Sequence, residues 1–102
     1  MNQREAFIEV AVALPVFGTF TYAVKQPQAA PAAAGQRVLV PFGRRRVTGY
    51  ILGEAAADQR LKIKPILDLL DEVPFFPPAM IPFFRWIADY YLHPIGDVIR
   101  TA

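Results

Sequence analysis

The chain has 102 residues, of which 54% are hydrophobic and 20% are charged, a composition typical of one small globular domain and not of a disordered chain. No apolar run approaches the ~20 residues that span a bilayer, and no segment has the features of a secretory signal. Cysteine is absent, which excludes disulfides, a thiol nucleophile and cysteine-ligated zinc. We therefore expect a cytoplasmic domain without a membrane partner.

The formal net charge of +2 is unevenly distributed. Residues 36–64 carry seven basic and two acidic side chains, a local charge of +5, whereas the other residues together carry −3. A basic segment in an otherwise acidic chain is typical of a surface that binds a polyanion such as nucleic acid or anionic lipid. A solvated face that binds nothing explains the charge pattern equally well.

Period-two alternation of apolar residues predicts four strands in the first half of the chain. They cover residues 6–14, 19–24, 36–40 and 47–52. In the second strand, Phe20 and Tyr22 should share one face and Thr21 should lie on the other. We expect Pro41-Phe42-Gly43 to interrupt the third strand and to form a turn wider than two residues.

The remaining segments predict loops, an irregular strand and a helix. Residues 26–35 contain two prolines and no large apolar side chain, so a surface loop is expected there, and residues 53–61 read as a polar loop. Residues 62–70 are apolar and extended around a proline, which favours an edge strand or a segment that leaves the sheet. Prolines before Met80 and helical spacing up to Tyr91 predict a helix that ends at His93-Pro94. We expect most aromatic residues to lie in the core of so small a domain.

The residue types exclude most enzyme classes. Serine and cysteine are both absent, and the chain has no phosphate-binding glycine-rich loop and no helical metal motif. Asp68, Asp71 and Glu72 are better explained as solvated residues beside a strand than as a carboxylate cluster. An enzyme in its own right is therefore the least supported class.

Basic and aromatic residues near the third strand favour nucleic acid. Arg44, Arg45 and Arg46 follow the Pro-Phe-Gly segment, and the planar guanidinium fits phosphate. In a regular strand Arg45 would face away from its two neighbours, and a turn kept soluble by charge explains the triplet equally well. Phe20 and Phe42 lie near turns, where an exposed ring could stack on a base.

Five segments in order carry a resemblance to a known family. They are Val12-Ala13-Leu14-Pro15-Val16, Phe20-Thr21-Tyr22, Gly35 to Gly43, Lys62-Ile63-Lys64-Pro65-Ile66 and Trp86 to Asp97. Over essentially its whole length the chain resembles the N-terminal DNA-binding domain of the PriA family of bacterial replication-restart helicases, also called primosomal protein N′. The resemblance implies binding of the 3′ end of the nascent leading strand at a stalled fork.

The resemblance also implies what the parent protein contains. An ATP-dependent 3′–5′ DNA helicase motor and a cysteine-ligated zinc module should lie further along that chain, so ATP and zinc are expected there. We expect no enzymatic activity and no cofactor in the present chain. The implied partner is forked DNA with a 3′ end, together with other primosome proteins and single-strand-binding protein.

In the family, the pocket for the terminal nucleotide uses an aromatic residue, an aspartate, a turn glycine and a lysine. The matching residues here are Phe20, Thr21, Gly43 and Lys64. The basic, aromatic turn adds three further DNA-binding candidates, Phe42, Arg44 and Arg45. Because Thr21 replaces the aspartate, discrimination among terminal bases should be weaker. We expect Lys62 to point away from the pocket.

The expected fold class is mainly β, a small, partly open barrel of about five or six strands with a C-terminal helix. Residues 1–74 should form the DNA 3′-end-binding part, and residues 75–102 a helical segment of the same domain that leads toward a helicase core absent from this chain. The rival hypothesis is a protein-interaction module that docks through its aromatic helix on the helicase body or a primosome partner. DNA binding should weaken steeply with salt, whereas such docking should not.

Overall fold

The computed structural model describes residues 4–26, 32–57 and 62–102. Its strands are β1 (Arg4–Val12), β2 (Phe20–Gln26), β3 (Arg37–Phe42), β4 (Arg45–Glu54) and β5 (Asp68–Leu69). A single 3-10 turn at Pro78–Met80 precedes α1 (Ile81–Tyr90) and α2 (Ile95–Thr101). Within the described ranges, no helix is long and apolar enough to cross a membrane. The two expected loops fall in part on residues 27–31 and 58–61, which lie outside the described residues.

The five strands form one antiparallel sheet in the order β2-β1-β4-β3-β5. A shift in the register of β1 against β4 between Glu9 and Val10 marks a bulge, a feature that bends a sheet. The segment before β5 then reaches both sides of the sheet. The N–H of Ala23 donates to the carbonyl oxygen of Lys64 at 2.9 Å. On the other side, the N–H of Leu67 donates to the carbonyl oxygen of Leu39 at 2.7 Å. The sheet is thereby curled into a half-barrel, and the mainly β fold expected from the sequence is confirmed.

Alternation along the strands fills two separate cores. Val10 and Val12 of β1 lie in the inner core, inside the half-barrel, whereas Ala11 between them faces the helices. On β4, Ile51 points inward and its neighbour Tyr50 points toward the helices. This double burial explains why these strands contain few charged residues in their centres.

The C-terminal region contains two helices packed on the outer face of the sheet. α1 buries Ile81, Phe84 and Ala88, and the expected stop before His93-Pro94 is confirmed because α1 ends at Tyr90. α2 begins directly after Pro94 and approaches β1 closely: a Cβ atom on Gly96 would overlap the backbone carbonyl group of Val12.

Two expectations for the β3–β4 hairpin were wrong. β3 continues through Pro41 and Phe42, and Phe42 is opposite Arg45, so the turn contains only Gly43 and Arg44. Proline is accepted there because β5 pairs with β3 only at Val38 and Leu39, which leaves one side of Pro41 without a neighbouring strand. Gly43 has a φ of +61°, the positive value that favoured two-residue hairpin turns require at their first central residue.

Candidate nucleic-acid interface

A cleft of about 290 Å³ lies where the start of β2, the β3–β4 turn and residues 62–64 meet. We call it the end cleft. Five of the seven candidate residues line it, namely Phe20, Thr21, Phe42, Gly43 and Lys64. These residues come from three distant parts of the sequence, and four of them are the positions that the family resemblance had connected: Phe20, Thr21, Gly43 and Lys64.

Two aromatic rings form one wall of the end cleft. Phe20 and Phe42 are half-buried, and their ring centroids are 5.1 Å apart at an interplanar angle of 77°. This edge-to-face geometry is favourable, and both rings also pack against the inner core. The wall is therefore held in place from below, while part of each ring remains accessible.

The buried residue Tyr22 connects two walls of the end cleft through a hydrogen bond. The hydroxyl of Tyr22 donates to the carbonyl oxygen of Pro41 at 2.8 Å, which joins β2 to β3 across the half-barrel. Burial raises the pKa of Tyr22, so the phenol remains a neutral donor at physiological pH. Sequence reasoning placed this ring in the core and missed that it also borders the end cleft.

Gly43 leaves one side of the end cleft open. A Cβ atom built at this position would meet nothing within 4 Å, so the space beside the backbone is free. The positive φ of this turn residue favours glycine, and the missing side chain lets a ligand approach the main chain closely. The positive φ is therefore the reason that the structure itself gives for glycine in this turn.

The basic side of the end cleft contains two lysines. Lys62 and Lys64 both line the cleft and both are exposed, so the expectation that Lys62 points away was wrong. Residues two apart in an extended segment share a face, and this alternation was the signal that should have identified Lys62. The backbone is fixed because Ala23 bonds on both sides, accepting from the N–H of Ile66 at 3.0 Å as well as donating to Lys64.

Thr21, a neutral residue, lines the end cleft at the position where the resemblance implies an aspartate. It lies opposite Glu9 in the β1–β2 register, but Glu9 borders a different cleft. The carboxylate of Glu9 accepts hydrogen bonds from Arg85 and from the hydroxyl of Thr19, each at 2.8 Å. The bond from Arg85 is the main reason that the pKa of Glu9 is lowered. None of the described residues that line the end cleft is acidic.

The two remaining candidates lie outside the end cleft. Arg44 is exposed in the turn, and Arg45 begins β4 and lines a second cleft together with Arg46. The alternation of β4 therefore does not keep Arg45 and Arg46 apart, because both lie near the end of the hairpin. The two arginine candidates, which came from the basic turn and not from the resemblance, thus do not line the end cleft.

The aromatic residues are less buried than expected. Six of the thirteen are exposed: Phe17, Phe75, Phe83, Trp86, Tyr90 and Tyr91. On α1 three of them stack in a row, with centroid distances of 6.5 Å from Phe83 to Trp86 and 5.1 Å from Trp86 to Tyr90. We call these three residues the aromatic row. It lies on the face of α1 that points away from the sheet.

Comparison with known proteins identifies the family of the domain. A family model described as a 3′DNA-binding domain (3′BD) matches residues 9–102. The replication restart protein PriA of Haemophilus influenzae is 34% identical over 97 residues, which are 93% of this chain and 13% of that protein. That of Synechocystis is 35% identical over 89 residues, 83% of this chain and 10% of that protein. The PriA protein of Bacillus subtilis is 28% identical over 91 residues, which are 87% of this chain and 11% of that protein.

The match covers a small share of each relative but nearly all of this chain. The chain spans only 10 to 13% of the length of these three relatives, so it corresponds to one part of each. The family model, however, covers nearly the whole of this chain. The chain therefore belongs to the family of 3′ DNA-binding domains found in the replication restart protein PriA.

Proposed function

We propose that this domain binds the 3′ end of the nascent leading strand at a stalled replication fork, as the N-terminal module of a replication-restart helicase. The observation that carries the proposal is the convergence of Phe20, Thr21, Gly43 and Lys64 on one cleft. Its volume of about 290 Å³ is at the lower end of the ~300–1,000 Å³ of small-ligand pockets. A site of this size suits one terminal nucleotide better than a continuous strand.

Each wall of the end cleft offers a different interaction to that nucleotide. The accessible surface of Phe20 and Phe42 can stack with a base, an interaction worth ~1–3 kcal/mol. The ammonium groups of Lys62 and Lys64 attract the phosphate as point charges. The open space beside Gly43 admits the sugar at the main chain, where a 3′ hydroxyl can reach a backbone group.

The proposal assigns recognition to this domain and chemistry to other parts of the parent. ATP-dependent 3′–5′ unwinding and zinc binding belong there, and this chain has no cysteine with which to hold zinc as a thiolate complex. Other primosome proteins and single-strand-binding protein are further proposed partners. A cytoplasmic location follows from a role at bacterial replication forks.

A comparison of two forks tests the proposal. One has a free 3′ hydroxyl on its leading strand, and the other is identical but ends in a 3′ phosphate. The domain should bind the first at least tenfold more tightly, because a 3′ phosphate removes the free hydroxyl that would reach a backbone group beside Gly43. Equal affinity for both forks in fluorescence titrations, with salt held constant, would contradict end recognition.

A second candidate function is docking on a protein through the aromatic row. The observation in its favour is that Phe83, Trp86 and Tyr90 are exposed, with Trp86 at 55% and Tyr90 at 66% of their full accessible surface. Large exposed apolar patches mark interaction sites in soluble proteins. Such docking should be nearly independent of salt, whereas DNA binding should weaken linearly on a log–log salt plot.

A further inference from the structure

A second cleft, of about 520 Å³, lies on the other side of the β3–β4 hairpin. We call it the arginine cleft. Four arginines line it, Arg37, Arg45, Arg46 and Arg100, and none of the described lining residues has an acidic side chain. It is bordered by β3, β4, the segment before the 3-10 turn and the end of α2.

The four arginines fall into two pairs. Arg37 is held by Asp71 at 2.9 Å, and Arg100 is held by Asp97. Arg45 and Arg46 are exposed and form no ion pair with any residue in the described ranges. The first pair is therefore held in place, whereas no ion pair among residues 4–26, 32–57 and 62–102 engages the second pair.

An aromatic ring adds a second type of contact to the arginine cleft. The guanidinium carbon of Arg37 lies 4.1 Å from the ring centroid of Phe75, so one face of that ring is covered. The side chain of Phe75 is nevertheless 57% exposed. Its other face is available to a flat partner, and arginines beside an open ring are typical of surfaces that track nucleic-acid strands.

We propose that the arginine cleft binds the phosphodiester backbone of the same DNA strand, a few nucleotides upstream of the terminus held in the end cleft. This inference rests on the proposed function. The two clefts share one hairpin: Gly43 lines the end cleft and Arg46 lines the arginine cleft. Three residues of extended chain span at most ~10 Å, and bases stack at ~3.4 Å intervals along a strand. A bound strand therefore passes from one cleft to the other within roughly three nucleotides.

The chemistry of the arginine cleft favours phosphodiesters over base edges. Arginine presents a planar pair of donors that matches two phosphate oxygens. Contacts of this kind position a strand but carry no sequence information. The arginine cleft should therefore add affinity to any strand long enough to reach it, whatever the terminal base.

A length series tests this inference with the 102-residue domain. The probes are a dinucleotide with a free 3′ hydroxyl and a single strand of about ten nucleotides with the same terminus. The variants are Arg46→Ala, which leaves Arg45 beside Phe42, and the double change Arg45→Ala/Arg46→Ala. Lys25→Ala is the matched control, since this exposed lysine on β2 lines neither cleft. Circular dichroism establishes that each variant is folded.

The double variant should bind the long strand at least roughly tenfold more weakly than the unmodified domain does. Its affinity for the dinucleotide should be unchanged. Its salt slope on the long strand should fall by about two, one for each phosphate that an arginine no longer neutralises. An unchanged affinity for the long strand would overturn the proposal, as would an equal loss on the dinucleotide. Binding of an acidic peptide to the arginine cleft without displacement of the long strand would overturn the proposal as well.

Failure of the proposed function gives a different result. If the unmodified domain binds 3′-hydroxyl and 3′-phosphate strands equally, end recognition is contradicted. A loss confined to long strands in the double variant would still support the arginine cleft as a phosphate-binding surface.

Discussion

Thr21 is the residue at which the end cleft departs from the aspartate that the family resemblance implies. Its hydroxyl can donate one hydrogen bond or accept one, and it carries no charge. Glu9, on the neighbouring strand, does not replace the missing carboxylate because its oxygens are bound by Thr19 and Arg85 and border another cleft. If the end cleft holds a terminal nucleotide as proposed, its base would meet neutral groups and the two phenylalanine rings there.

Thr21→Asp should sharpen discrimination among strands that end in A, C, G or T. A carboxylate accepts only, and one charge-assisted hydrogen bond is worth ~1.5–3 kcal/mol, which is measurable in titrations of the four strands. Thr21→Asn is the control, since it adds an acceptor of similar shape without charge. If the unmodified domain already separates the four bases as widely as the Thr21→Asp variant, position 21 does not contact the base.

Lys62→Ala and Lys64→Ala should each weaken binding of a 3′-ended strand, because both lysines line the end cleft. Each substitution should lower the log–log salt slope by about one. Titration at several salt concentrations measures this change, and Lys25→Ala serves as the exposed-lysine control. A normal salt slope in Lys62→Ala would show that its ammonium group does not approach the ligand.

At the scale of elements, the close contact between α2 and β1 determines how the helices sit on the sheet. The contact depends on Gly96, where any side chain would meet the backbone of Val12. Backbone against backbone cannot adjust as a flexible side chain would, so the two elements have little freedom to shift. The glycine of the Pro-Ile-Gly-Asp segment is therefore explained by packing and not by a role in binding.

Gly96→Ala should lower the free energy of unfolding by about 3 kcal/mol or more, because the added methyl group overpacks a contact with no room. Denaturant titration followed by circular dichroism measures the loss. Gly53→Ala is the matched control, since a Cβ atom there would meet nothing within 4 Å. Similar losses in both variants would show that the α2–β1 contact is looser than the structure indicates.

The ion pair between Glu9 of β1 and Arg85 of α1 is a second link between sheet and helices. Because Arg85 lowers the pKa of Glu9 from its usual 4.5, folding is favoured by the charged carboxylate. This stabilisation is present above pH 4.5 and is lost as the pH falls through the lower pKa of the folded state. Its size should be modest, since both side chains are partly exposed.

Glu9→Gln should therefore reduce the free energy of unfolding at pH 7 by about 1 kcal/mol or less. The difference from the unmodified domain should shrink as the pH is lowered below 4.5. Unfolding titrations at a series of pH values measure it. A difference that stays constant down to acidic pH would mean that the charge of Glu9 contributes nothing.

At the scale of the whole molecule, the binding surfaces and the aromatic row use different parts of the fold. The end cleft and the arginine cleft lie on either side of one hairpin, whereas the aromatic row lies on α1. Neither cleft includes Phe83, Trp86 or Tyr90 among its lining residues. A ligand in either cleft would therefore leave the aromatic row exposed.

Trp86→Ala should leave the affinity for a 3′-ended strand within twofold of the unmodified value. Fluorescence titration with a labelled strand measures this, and the high exposure of Trp86 means that the fold should tolerate the change. Phe20→Ala is the contrasting variant, expected to weaken binding because a stacking surface is removed. A large loss of affinity in Trp86→Ala would place the aromatic row on the DNA.

The sequence by itself determined the approximate positions of the first four strands and the end of α1 before His93-Pro94. These features are local, because period-two alternation and proline geometry depend on neighbouring residues alone. The pocket residues were connected only by family resemblance. Tertiary structure decided that Pro41 stays in a strand, that Lys62 joins Lys64 in the end cleft, and that Arg45 faces a second cleft. Such outcomes depend on strand register and sheet edges, which are set by burial between residues far apart in the chain.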